Sequence, residues 1–299
     1  MGTSGKPFRA RLKGLMNPLR TLSSTALLAA SLLLGGCISN RVNLEEVREF
    51  ADASARLGAY AELSTHYRDT YLREQPYLPP AADKVAKEND AKRHAAYDDF
   101  VAIQKAVVLY MQTLAALASA DRYDFTPQIS TLGTGLTGLA KTTLVQNQVS
   151  AYTGLTRLLT RAFTSHLQKE SVETMVREGD ADVRVLLEAM IGMTEVYAAA
   201  NENEKKTVLG FFEVALPLAD RPQDRLLYTL ARAHVQGKTG EYRLIDQRFA
   251  LAREGLSKVA LGHQKLRENL ATMSSSEMRH MLSGYVRDLN MIRAGLTAD

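Results

Sequence analysis

Residues 97–117 read YDDFVAIQKAVVLYMQTLAAL, and this stretch decides the fold class. Apolar side chains fall at Tyr97, Phe100, Ile103, Val107, Tyr110 or Met111, Leu114 and Leu117. Steps of three and four bring them onto one face of an α-helix. Upstream, DKVAKENDAKRH (83–94) is polar but holds no breaker, and Pro79-Pro80 supplies a start. The spacing therefore predicts one helix from Pro80 to about Ser119, ~60 Å long at ~1.5 Å per residue. A helix of that length with a polar half belongs in an elongated bundle, coiled-coil-like in part. Its most apolar portion, Ala106 to Ala118, carries Gln112 and Thr113 and covers about 13 residues, short of the ~20 of an ordinary membrane span.

The same period runs outward in both directions. Asn43 is a candidate N-cap, with Glu45 and Glu46 in the first turn. Val47, Phe50, Leu57, Tyr60, Leu63, Tyr67 and Tyr71 then predict an amphipathic helix to about Arg73, broken by QPYLPP at 75–80. Thr126-Pro127 predicts a weaker helix to about Leu139, and Thr142 to Arg177 a further one, ended by Gly179. Another starts at Asp180 or Asp182 and meets a polar interruption, NENEKK (201–206), before Leu216. Pro217 and Pro222 bracket a break. Residues 223–272 are periodic, with Gly237, Gly240, Gly255 and Gly262 as weak points. Ser274 with Glu277 matches a capping box and opens a last helix to about Leu296. The expectation is an all-α fold of about seven long helices. No alternating strand and no regular repeat stands out.

Charge is unevenly distributed. The chain has 37 Lys+Arg against 33 Asp+Glu, but Lys6, Arg9, Arg11, Lys13 and Arg20 lie in residues 1–36, which hold no acid. The rest carries 32 bases against 33 acids, so net charge gives no attraction for nucleic acid. The basic segment is followed by an uncharged run, TLSSTALLAASLLL (21–34), and then by Gly35, Gly36 and Cys37. The run is too short for an ordinary span and suits the apolar part of a signal peptide. Met16 offers an in-frame alternative start.

Leu34-Gly35-Gly36-Cys37 resembles the lipobox of bacterial lipoproteins, and Cys37 is the only cysteine in the chain. The resemblance covers residues 1–37 alone. It implies a diacylglyceryl group on the Cys37 thiol and cleavage between Gly36 and Cys37. It further implies acyl chains that hold the protein to a bilayer. Residue 38 is Ile instead of Asp, which favours the outer membrane, facing the periplasm. The expected organisation is a cleaved signal peptide (1–36), a lipidated cysteine and tether (37–43) and a helical periplasmic domain (44–299). An ordinary cleaved signal peptide with an incidental cysteine is the plainer alternative.

Reactive constellations are not legible in the mature chain. Gly133, Gly135 and Gly138 match G-x-G-x-x-G but lack the preceding strand and the following acid of a dinucleotide site. No two of His66, His94, His166, His234, His263 and His280 lie three or four apart, and Glu277–His280 is a single E-x-x-H. No nucleophile elbow or zinc-protease motif occurs. No catalytic, metal or cofactor-binding residue is therefore assigned. Tyr60, Tyr67, Tyr71 and Tyr77 form an aromatic stripe that reads either as bundle core or as an interaction surface. Segments 83–94 and 201–206 read as solvated charge runs. The expected role is that of a non-enzymatic, lipid-anchored protein that binds another protein or cell-wall material. An immunity or inhibitor lipoprotein that neutralises a toxin or hydrolase is one alternative, and a helical small-ligand binder or enzyme with a polar core site is another.

Overall fold

A computed structural model describes residues 1–2, 43–56, 59–119, 132, 144–164, 170–270, 272 and 274–297. All the elements belong to the unit Val42–Asp299, and Met1–Arg41 forms the other. The fold is all-α. Seven helices of ten residues or more occur among the described residues, with one short helical turn: α1 (Asn43–Ala55), α2 (Ala59–Arg68), the five-residue α3 (Thr70–Glu74), α4 (Pro80–Ala118), α5 (Gln146–Thr164), α6 (Glu170–Ala215), α7 (Arg225–Asn269) and α8 (Ser275–Thr297). Cys37, Gly36 and the 133–138 glycines lie outside the described residues, as does the helix expected over 126–139.

Cross-helix bonds fix the directions. Tyr60 donates to the Met190 carbonyl, Ser64 meets Tyr197, His66 meets Asn201 and Arg73 meets Glu204, at sequence separations of 130, 133, 135 and 131. A constant separation means that the arm α1–α3 runs parallel to α6. On α7 the order reverses: Phe249 packs on His66, Tyr242 bonds Glu204, and His234 bonds Tyr77. The arm and α6 thus climb together from a base, and α4 and α7 descend. At the base α8 turns back upward beside α1, where Arg279 bonds Glu46 at 2.5 Å and Tyr285 packs on Phe50.

The core runs from the base of this unit as far as Tyr197 on α6 and Phe249 on α7, short of the α6–α7 turn. Its largest fully enclosed side chains include Phe50, Tyr60, Ile103, Tyr110, Met111, Leu114, Tyr152, Leu155, Leu159, Met175, Leu186 and Tyr197. Among the described residues α4 is the one helix long and apolar enough, by length and composition, to cross a membrane. Its apolar side chains are turned to α1, α2, α5 and α6 instead. Pro79, extended at ψ 152°, and Pro80 start it where the sequence expects. Half of the capping box forms: Glu277 Oε2 accepts from the Ser274 backbone N–H at 3.0 Å and from its hydroxyl at 2.6 Å.

Four expectations need correction. The single helix over 43–73 is three pieces. Its second break lies at Asp69, whose backbone leaves the helical range while its carboxylate holds the neighbouring Arg68 at 2.7 and 2.9 Å. The single helix over 142–177 is two antiparallel ones, since Arg161 pairs with Glu178 and Leu158 lies over Gly179. Gly179 does not end a helix. It sits inside α6, where an added Cβ would come within 2.7 Å of the Tyr110 ring. The missing side chain is used for close approach, not for a stop. Likewise NENEKK does not interrupt α6, and α7 runs unbroken through Gly237, Gly240, Gly255 and Gly262.

Candidate functional site: an unpaired helical tip above a polar layer

The arm stops at QPYLPP because three prolines deny it further helix. Gln75–Tyr77 forms a single 3-10 turn, Leu78 is extended, and the chain reverses into α4. The α6–α7 hairpin does not stop there. Beyond Tyr77 it continues as two helices without a third among the described residues, turning through Leu216–Ala219 and Pro222–Asp224. From His234 back to Arg225 the overhang is about nine residues, or ~14 Å. From Arg225 down to Leu266 α7 covers ~60 Å, so this tip lies at the far end of the bundle from the start of α1.

The overhang is apolar and exposed. Leu226 is 74% exposed, Val214 72% and Leu218 71%, with Leu227, Leu230 and Phe211 also open. Phe211, Val214 and Leu218 lie at steps of three and four on α6 and its 3-10 extension. Leu226, Leu227 and Leu230 do the same on α7. Each helix thus carries an apolar stripe that, beyond the contact of Phe211 with Tyr77, has no partner among the described residues. Where the overhang leaves the bundle, the ring of Tyr77 packs against Phe211, Phe212 and His234 at centroid distances of 5.7, 5.5 and 6.2 Å. Tyr77 Oη bonds His234 Nε2 at 2.8 Å. A groove of about 470 Å³ opens beside this cluster, lined by Pro76, Tyr77, Leu78, Pro79, Ala82, Thr207 and Phe211.

The tyrosine stripe divides accordingly. Tyr60 is enclosed in the core, Tyr67 stacks on Tyr197 at 4.7 Å and Tyr71 is buried with its hydroxyl on Asp83 at 2.8 Å. Burial raises the pKa of all three phenols, so they remain neutral. Tyr77, half-buried, is the member that borders an open groove.

Just below the tip lies a polar layer that sequence reasoning missed. Asn201 and Glu204, read as part of a solvated run, are almost fully buried. Glu204 accepts from Arg73 Nε and Nη2 at 2.9 and 2.7 Å and from the Tyr242 hydroxyl at 3.1 Å. Arg73 also donates to the His66 carbonyl at 2.8 Å. Asn201 receives His66 on one side and donates to Asp246 at 2.8 Å on the other. Burial, with Arg73 nearby, lowers the His66 pKa, and burial, with Glu204 nearby, raises that of Tyr242. Glu74 is raised mainly by burial, against the pull of Arg93. The signal was present in the sequence: Tyr197, Asn201, Glu204 and Val208 keep the core spacing. Segment 83–94 is mostly exposed as expected, though Arg93 turns inward.

A second polar knot lies deeper in the bundle. Tyr110 Oη meets His263 Nε2 at 2.8 Å and donates to the Met175 carbonyl at 3.2 Å, while Asp180 faces His263 Nδ1 at 3.4 Å. The His263 bond holds the Asp180 carboxyl below its ordinary range. The groups join α4, α6 and α7 inside the core and reach no described groove. Among the described residues no three His, Cys, Asp or Glu side chains gather as metal ligands. His280 is exposed, and the Glu277 carboxylate is taken by Ser274. A further open groove of about 550 Å³ runs between α1 and α8, past Glu49, Val286 and Met291.

Comparison with protein-family models, with curated proteins and with solved structures gives no match.

Proposed function

We propose that the protein is a lipid-anchored envelope lipoprotein whose helical domain is a non-enzymatic interaction module in the periplasm. Cys37 carries the lipid and Ile38–Asn43 is the tether. The bundle displays its tip ~60 Å from the start of α1, a distance set by the rise of α7. The observation that carries the interaction role is the exposed apolar overhang, since monomeric soluble proteins seldom leave such patches without use. The polar layer at Arg73–Glu204 and the knot at Tyr110–His263 are saturated with internal bonds. That makes them ties between helices instead of reaction centres.

The anchor is tested by the mass and N-terminus of the protein recovered from membranes. A mature chain that begins at an acylated Cys37 is expected, and Cys37→Ser or globomycin treatment should leave it unprocessed. A free Cys37 thiol on a chain that still carries its leader would overturn the proposal. The interaction role is tested by affinity capture with Val214→Glu/Leu226→Glu as control. Partners retained equally by both forms would place the interaction elsewhere.

A further inference from the structure

We infer that the apolar overhang is the contact surface for a second copy of this chain, two tips pairing to complete a four-helix bundle. This rests on the interaction role proposed above and names its partner. The overhang is half of a bundle. Below Tyr77 the arm packs on both α6 and α7, and α4 on α6; above it, among the described residues, the two helices have only each other. Each helix keeps an outward stripe at steps of three and four, the pattern that another pair of helices covers. At the exposures found, Phe211, Val214, Leu218, Leu226, Leu227 and Leu230 offer about 700 Å² per tip, close to the roughly 800 Å² per partner of a standard interface.

The charges point the same way. The overhang carries three acids, Glu213, Asp220 and Asp224, and three bases, Arg221, Arg225 and Arg232. None of the six is in an ion pair among the described residues. An equal set leaves the tip neutral, so a two-fold axis can bring two copies together without net repulsion. A lipid surface fits less well. A neutral tip has no electrostatic draw to anionic headgroups, and its six charges would have to be kept out of the bilayer.

The test is photo-cross-linking of the full chain in cells. A photoreactive phenylalanine analogue replaces Leu226 at the tip or, as control, His280 near the base. Two differently tagged copies are expressed together. An adduct of twice the monomer mass that carries both tags is expected from position 226 and not from 280. Leu227→Glu/Leu230→Glu should lower its yield at least tenfold. Both side chains are exposed in the single chain, so far-UV circular dichroism should stay unchanged. An adduct with another protein or with lipid overturns the inference. So does no adduct, or a yield within twofold of the parent in the double variant. Fractionation of the same sample separates the two proposals. An unanchored chain that still cross-links to itself defeats only the lipid anchor, and an anchored chain that does not defeats only the pairing.

Discussion

Replacing Glu204 by methionine removes the acceptor that joins the arm, α6 and α7 just beneath the tip. The carboxylate is 1% exposed and receives three hydrogen bonds, whereas its partner Arg73 is 26% exposed. Breaking a fully buried pair costs about 3–5 kcal/mol, because the remaining charge is left buried and unpaired. Arg73 keeps its bond to the His66 carbonyl and can reach water, which places Glu204→Met near about 2–3 kcal/mol. Arg73→Met/Glu204→Met removes both charges and leaves chiefly the Tyr242 hydroxyl unsatisfied, at about 1 kcal/mol. Arg73→Met alone strands the buried Glu204 carboxylate at about 3 kcal/mol. The single losses then exceed the double loss by about 4–5 kcal/mol, and that excess is the coupling a double-mutant cycle should show. Urea unfolding followed by circular dichroism, with unchanged m values, measures it. A Glu204→Met loss below about 1 kcal/mol, or strict additivity with Arg73→Met, would refute the claim that this pair ties the arm to the hairpin.

Two glycines of α7 should respond in opposite directions. Gly262→Ala drives a methyl to within 2.6 Å of the buried Phe50 ring and should cost about 1–3 kcal/mol, whereas Gly237→Ala meets no atom within 4 Å and should gain about 0.5–1 kcal/mol, both read as shifts in Tm. His66 has a lowered pKa, so below pH ~6.5 the unfolded chain takes up a proton that the folded chain refuses, and stability falls on acidification. His66→Gln should flatten the fall in Tm between pH 7 and 5.5; parallel curves for the two proteins would contradict the assignment. Glu277→Ala removes the acceptor used by the Ser274 backbone N–H and should cost about 1 kcal/mol, with faster exchange of the Ser274 amide.

The all-α class and the long helices were legible because α4, α7 and α8 keep a helical period between clear signals: Pro79-Pro80, Pro217 to Pro222, and Ser274 with Glu277. Legibility failed where a local rule met a tertiary demand. Gly179 has the composition of a stop, but what it supplies is room for the Tyr110 ring, and that need is visible only once α4 lies across α6. Asn201 and Glu204 are polar enough to read as solvated, yet their burial is set by partners more than 100 residues earlier in the chain, His66 and Arg73. The tyrosine stripe was equivocal for a similar reason. Spacing identifies the face of a helix but not where its cover ends, and the cover ends at Tyr77. The overhang itself carried a readable sign, the leucines on both sides of Pro217 and Pro222. Their lack of a partner follows from how far the arm climbs, which no local pattern encodes.

The pairing of α1 with α8 gives the chain a late lock. Arg279 holds Glu46 across a separation of 233 residues, and Tyr285 covers Phe50. Whatever delivers this polypeptide N-terminus first, ribosome or translocation channel, releases α1 well before α8, the helix that covers that flank. Until then the opening helix is a sticky edge that a holding chaperone can grip. Loss of the C-terminal helix would leave that edge uncovered for good, with proteolysis or clumping as the outcome.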